Sequence, residues 1–215
     1  MIKFKELNGL LKNILSSVKI LSFIYLLSII TSSKIDTNKL NQVLLSQHNK
    51  YRKNHGVGQL TLDNELIKLA QDYSAVLAYS DSNAPSGNKN KNKEIVGENI
   101  YTCTSILKEK CYTENSSKPV DDWYSEIEKY NFTDPGFTLD TAHFTQIIWK
   151  ETTKIGCGAS VESDGVTYKV VCNYYKAGNI VNSTFYEENV LPPSYSNLLT
   201  LNYILIIFIL LFYIN

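Results

Sequence analysis

Apolar and polar positions alternate along the chain in two different periods, helical first and then strand-like. From Leu40 to Tyr51 the apolar residues Leu40, Val43, Leu44 and Tyr51 fall at helical spacing, Thr37 or Asn38 stands where a cap belongs, and Gly56 supplies a stop. A second helix is predicted at once, with Asp63 as its cap and Leu66, Leu69, Ala70, Tyr73, Val76 and Leu77 along one face. A Ser/Asn/Pro/Gly-rich loop from Ser80 to Asn92 ends it. A third helix begins at Ser117 or Lys118, with Pro119 near the first helical position, and continues through Trp123, Tyr124, Ile127 and Tyr130. Glu126 borders its buried stripe. Thr141 is placed to cap a short fourth helix whose inward side is Phe144, Ile147 and Ile148, with His143 in the first turn.

The period then shortens. Lys154 to Glu162 and Val166 to Tyr175 are rich in strand-forming residues, and Asp164-Gly165 between them is a two-residue hairpin signal. With those two as the turn, Ser163 faces Val166, and stepping outward sets Cys157 opposite Cys172, within disulfide range. That leaves Cys103 to pair with Cys111 and close a small local loop. Helices followed by a hairpin, without strand-helix-strand alternation, predict an α+β layered domain and not a doubly wound parallel sheet.

The two ends change the picture from an ordinary domain to a secretory one. Lys3, Lys5, Lys12 and Lys19 precede an uncharged apolar stretch from Ile20 to Ile30, and Thr31 and Ser33 supply small residues for cleavage, so residues 1–33 read as a signal peptide. At the other end, Leu198 to Asn215 carries no charge, and residues 194–215 read as a hydrophobic tail. That tail is either a retained membrane anchor or a signal exchanged for a glycolipid. Residues 34–193 remain as the extracellular or lumenal domain. In such a compartment the four cysteines are expected to be oxidised, and Asn115, Asn131 and Asn182 head N-x-S/T glycosylation sequons.

Charge narrows the partners. The 215 residues balance 21 Lys+Arg against 21 Asp+Glu, which argues against nucleic acid as a partner. The NKNKNK run from Asn88 to Lys93 lacks interleaved aromatics and reads as a solvated loop. Of the three histidines, His48 lies on the apolar side of its helix and is expected to be a hydrogen-bonded structural residue. His55, beside the stop glycine, is expected to be exposed.

Several of these stretches together resemble the CAP superfamily, which includes cysteine-rich secretory proteins, insect venom antigen 5 and plant pathogenesis-related class 1 proteins. The resemblance rests on HFTQIIWKETTKIGCG (residues 143–158) and VVCNYYKAGN (170–179), and on QHNKYRKNHGV (47–57), GENIY (97–101), DDWYSEIEKYNF (121–132) and FYEENVLPP (185–193), in that family's order. It implies a three-layer α-β-α sandwich with a small antiparallel sheet, and a cleft that in the family presents two histidines and two glutamates able to hold zinc. Glu98, Glu126 and His143 occupy three of those positions. The second histidine is missing from Tyr79 to Val96, which weakens any zinc site, since catalytic zinc usually has three protein ligands with more than one imidazole. No residue is assigned a catalytic role and no cofactor is required. The resemblance implies a secretory-pathway binding protein with a lipid or sterol, or an extracellular protein, as ligand in host or defence interactions. A His/Glu-cleft hydrolase and a structural surface scaffold are the alternatives.

Overall fold

The computed structural model describes residues 18–20, 35–80, 84–106, 115–181 and 183–194. The chain divides into two units, Met1–Lys34 and Ile35–Asn215. Of the first unit, residues 18–20 are helical. The remainder of the predicted signal segment, the tail beyond Ser194, Cys111 and Asn182 lie outside the described residues. Among the described residues no helix is long and apolar enough to cross a membrane.

The second unit follows the predicted order. Helix α1 (Thr37–Asn54) is capped by Asp36, one residue before the expected position, whose Oδ1 accepts from the amides of Asn38 at 3.0 Å and Lys39 at 3.1 Å. Asp36 has the extended backbone that turns a short acceptor toward the free amides of the first turn, whereas Thr37 is already helical. Strand β1 (Thr61–Leu62) precedes α2 (Asn64–Leu77), which Asp63 caps as the sequence predicts. Val76, expected on the inward face of α2, is exposed; the buried stripe is Leu66, Ala70, Ser74 and Leu77. After β2 (Gly97–Thr104) comes α3 (Lys118–Ser125), which tightens into a 3-10 turn over Glu126–Lys129 and so ends before Tyr130. A second 3-10 turn (Leu139–Thr141) leads into α4 (Ala142–Ile148), followed by β3 (Lys154–Val161), β4 (Thr167–Tyr175) and α5 (Ser183–Asn189).

The four strands form one sheet in the order β1-β3-β4-β2. The hairpin pairs in the expected register, with Cys157 opposite Cys172, and these two form a disulfide across a Cα separation of 4.1 Å. Cys103 is also disulfide-bonded, and its expected partner Cys111 lies outside the described residues. The sheet is mixed, not wholly antiparallel, because β1 joins β3 in parallel at Thr61–Lys154 and Leu62–Ile155. One face is covered by α2, where Ala70 and Leu77 pack on Val171 and Ile100. The other carries the main core, in which Leu40 and Leu44 of α1, Trp123 of α3, Phe144, Ile147 and Ile148 of α4 and Tyr186 of α5 close on Ile155, Val170, Cys172 and Tyr174. The result is the predicted α-β-α sandwich. Close approach of α2 depends on two glycines. A Cβ on Gly156 would stand 2.1 Å from the amide nitrogen of Ile67, and one on Gly158 would stand 2.3 Å from the Cα of Gln71.

What holds the layers in register is the treatment of β3's outer edge. Beyond Ile155 that edge has no neighbouring strand among the described residues, yet its peptide groups are buried and need partners. Asn41 of α1 supplies them at Cys157, donating from Nδ2 to the carbonyl at 2.8 Å and accepting the amide at 2.8 Å. Gln71 of α2 does the same two residues on, donating to the Ala159 carbonyl at 3.0 Å and accepting its amide at 3.3 Å. Two carboxamides, one from each helical layer, thus take the place of a fifth strand. Replacing Asn41 by Leu should leave a buried N–H and C=O unpaired and destabilise the fold by about 3 kcal/mol, at ~1–3 kcal/mol per orphaned group. Urea unfolding of the two proteins measures this, and a loss below about 1 kcal/mol would show that water or a rearranged edge replaces the amide.

Candidate functional site

Helix α4 begins without a local side-chain cap; Thr141 makes no such bond, and its hydroxyl pairs instead with that of Thr138 at 2.7 Å. The free amides of the first turn are met from across the fold. Glu126 Oε2 accepts from the backbone of His143 at 3.0 Å and of Phe144 at 3.1 Å, while Oε1 accepts from His143 Nδ1 at 2.7 Å. A carboxylate at this end of a helix is stabilised by the unpaired N–H groups and the local dipole. The imidazole lies nearly parallel to the Trp123 indole, centroids 5.9 Å apart and planes 15° apart, with its side chain 34% exposed against 18% for Glu126. From β2, Asn99 Nδ2 donates to the His143 carbonyl at 3.1 Å. Backbone, ring plane and one ring nitrogen of His143 are therefore all fixed by neighbours.

Glu98 does not join this pair. Side chains alternate along a strand, so with Asn99 and Tyr101 on the α4 side, Glu98 and Ile100 face the α2 side. There the Glu98 carboxylate accepts from the backbone and hydroxyl of Ser86, each at 2.7 Å, and from Asn173 Nδ2 at 3.0 Å. The expected convergence of Glu98, Glu126 and His143 in one hollow is thus corrected: two members pair and the third belongs to the opposite face. Among the described residues no group of three or more His, Cys, Asp and Glu side chains is placed to hold a metal ion. The donor set is short for zinc: His143 keeps Nε2 open with Glu126 on its Nδ1, as a zinc-bound histidine would, but Glu98 bonds elsewhere and no second imidazole stands beside it among the described residues.

The other histidines are structural. His48 is fully buried, its Nδ1–H donating to the Leu44 carbonyl at 2.7 Å and its Nε2 accepting from the Tyr174 hydroxyl at 2.8 Å. His55 is buried, not exposed as expected, because the segment after α5 returns over it. Its Nδ1 donates to the Leu191 carbonyl at 2.6 Å and its Nε2 accepts from Tyr124 at 2.8 Å, while Ser194 bonds back to Asn54 at 2.7 Å.

Beside the clasp lies a hollow of about 330 Å³, walled by Lys129–Asn131, Asp134–Thr138 and Thr141. Tyr130, on its wall, packs edge-on to Phe132 at 4.9 Å between centroids, and both lie against Phe144. On the same loop Phe137 is 43% exposed and Leu139 81% exposed. Sequence reading missed this hollow and two buried polar residues of α1, Asn41 and Arg52. The signal for the latter was present, since Leu44, His48 and Arg52 follow at four-residue spacing on the buried face.

Two measurements check these assignments. Burial, with the Arg52 charge as a lesser contributor, holds the His48 imidazole down to about 4 from 6.5. The unfolded chain therefore binds a proton between those values that the folded chain refuses. Stability is full above the unfolded value and falls as pH drops toward about 4, by ~3 kcal/mol from this group. Urea unfolding across that window should be distinctly less steep in pH for His48→Gln; identical slopes would show that His48 does not titrate as placed. Removing the external cap with Glu126→Ala should cost ~1–2 kcal/mol and speed hydrogen exchange at the His143 and Phe144 amides. Unaltered protection at those two amides would mean that Glu126 is not their acceptor.

Comparison with known proteins agrees with this architecture. A family model described as the cysteine-rich secretory protein family, CAP, matches residues 45–174. Golgi-associated plant pathogenesis-related protein 1 of Homo sapiens is 41% identical over 162 residues, covering 74% of this chain and 97% of the human protein. Protein PRY2 of Saccharomyces cerevisiae is 31% identical over 150 residues, 69% of this chain but 40% of the yeast protein's length. Among solved structures, BmVAL-1 superposes with a TM-score of 0.54 at 26% identity, covering 73% of this chain and 85% of that one. The chain belongs to the CAP family of cysteine-rich secretory proteins.

Proposed function

We propose that this protein is a non-enzymatic binding protein of the secretory pathway, and that it takes a lipid or sterol at the loop between α3 and α4. The hollow carries the reading: an aromatic wall formed by Tyr130 and backed by Phe132 and Phe144 lies next to exposed Phe137 and Leu139. Exposed apolar side chains beside a hollow with Tyr130 and Phe137 in its wall support this reading, and each one buried by a ligand would contribute ~1.5–3 kcal/mol. Polar atoms from Lys129, Asn131, Asp134, Thr138 and Thr141 around the same opening suit a ligand with one hydrophilic end. Likeness to a human protein described as Golgi-associated supports the secretory setting, as does the predicted signal segment. Residues 1–33 as signal peptide, residues 194–215 as membrane attachment and residues 34–193 as the working domain form part of the same proposal, with an extracellular or cell-surface location.

The Glu126–His143 pair leaves the ring's Nε2 open, but among the described residues no hydroxyl or thiol is hydrogen-bonded to the ring as a nucleophile, so hydrolysis is the weaker reading. The protein secreted from a eukaryotic host should bind tritiated cholesterol or palmitate saturably, and the double variant Phe137→Ser, Leu139→Ser should weaken that binding by ~10-fold or more while unfolding normally. Undiminished binding in the double variant would move the site elsewhere. No saturable binding of either probe would remove the lipid version, leaving a protein ligand or a scaffold. Peptidase activity lost in both His143→Ala and Glu126→Ala would favour the hydrolase instead.

A further inference from the structure

One sequon falls on the wall of the hollow. Asn131 lines it and is exposed, and its Oδ1 accepts from the backbone of Thr133 at 3.0 Å and from the Thr133 hydroxyl at 2.7 Å. The two residues that define the N-x-T motif are thus joined by a three-residue turn. Such a turn needs nothing from the rest of the fold, so it is available to the chain as it emerges, before α4 or the sheet exists. In the folded protein the same asparagine remains at the surface, where a branched sugar displaces no packing. Asn115 is also exposed but does not line this hollow, and Asn182 lies outside the described residues.

We propose that Asn131 carries an N-linked oligosaccharide in the mature protein, and that this glycan overhangs the hollow and restricts entry to it. The second half rests on the ligand reading given above. In the transfer, Nδ2 of Asn131 attacks C1 of the reducing-end sugar of a lipid-linked diphosphate oligosaccharide. The C–N bond forms as the C–O bond to the diphosphate breaks. The lipid diphosphate leaves with that electron pair, and the amide gives one proton to a base of the transferring enzyme. A hydrated chain tethered beside Phe137 and Thr141 then occupies the solvent in front of the opening, which slows association without removing any contact inside.

The test uses the full chain expressed in a eukaryotic secretory host. Intact-mass and peptide mass spectrometry before and after amidase deglycosylation should show a hexose ladder at Asn131 and its conversion to Asp. Thr133→Ala and Asn131→Gln should lack it, and Thr133→Ser should retain it. Tritiated cholesterol should associate ~3–10-fold faster with the enzymatically deglycosylated folded protein, and with Asn131→Gln, than with the glycosylated form. Unmodified Asn131 in the secreted protein overturns the proposal. A glycan at Asn131 with equal association rates before and after its removal overturns the screening role. A glycan there with no cholesterol binding in either form overturns the ligand reading and the screening that depends on it, and leaves the modification standing.

Discussion

The fold depends on keeping one line of backbone out of water's reach but hydrogen-bonded. From Ile147 to Ala159 the chain leaves α4, turns and becomes β3, and among the described residues no long strand lies beside its outward-facing peptide groups. Arg52, fully buried at the end of α1, donates from Nη1 to the Ile147 and Trp149 carbonyls at 2.9 and 2.8 Å and from Nη2 to Thr152 at 2.9 Å. The Thr61 amide then takes Thr153 at 3.0 Å and the Asp63 amide takes Ile155 at 3.0 Å, before Asn41 and Gln71 take Cys157 and Ala159. Every donor in the series comes from α1, from β1, or from α2 and its cap Asp63. Packing alone would let those helices slide on the sheet; this ladder of side chains and short strand fixes where each sits. The guanidinium stays charged in the interior because carbonyl oxygens solvate it, although burial lowers it to about 10.

The same requirement shapes the candidate site. Helix α4 has to begin beneath a loop, and its unpaired amides recruit Glu126 from α3's 3-10 extension in place of a local cap. Once Glu126 serves that purpose, His143 is drawn onto it and stacked on Trp123, and the pair acts as a clasp between α3 and α4. The loop joining these helices is then pinned at Tyr130 and Thr141 and arches between them. Its hollow and its exposed Phe137 and Leu139 follow from that span.

Where a single helix face or a single hairpin decided the outcome, the sequence was enough. Asp63 as a cap, the register that sets Cys157 against Cys172, and Pro119 in the first turn of α3 all depend on residues a few positions apart. Features decided by distant segments were not legible in the same way. Strand β2, with GENIY at its start, carries polar residues on both faces, and its pairing with β4 fixes which way Glu98 points. His55 is buried by a segment more than a hundred residues later, through its bond to Leu191. The family resemblance placed Glu98, Glu126 and His143 in a common cleft, and strand alternation together with the Asn99 to His143 bond separates the first from the other two.

The histidines show how the interior and the site divide their chemistry. His48 receives a hydroxyl hydrogen bond from Tyr174 while donating to Leu44, so a second ring proton there would set donor against donor in a fully buried position. His55 is held by the same pattern of one carbonyl and one tyrosine hydroxyl. Both are thereby neutral joints between α1 and the layers around it. His143 has the opposite arrangement, with a carboxylate at Nδ1 and a third of its side chain open to solvent. Its backbone amide and Nδ1 serve in starting α4, while the neighbouring loop carries exposed Phe137 and Leu139. A fixed clasp and a loop with exposed apolar side chains thus lie within about a dozen positions of the chain, and loops held on a rigid framework are where a fold generally gains its particular function.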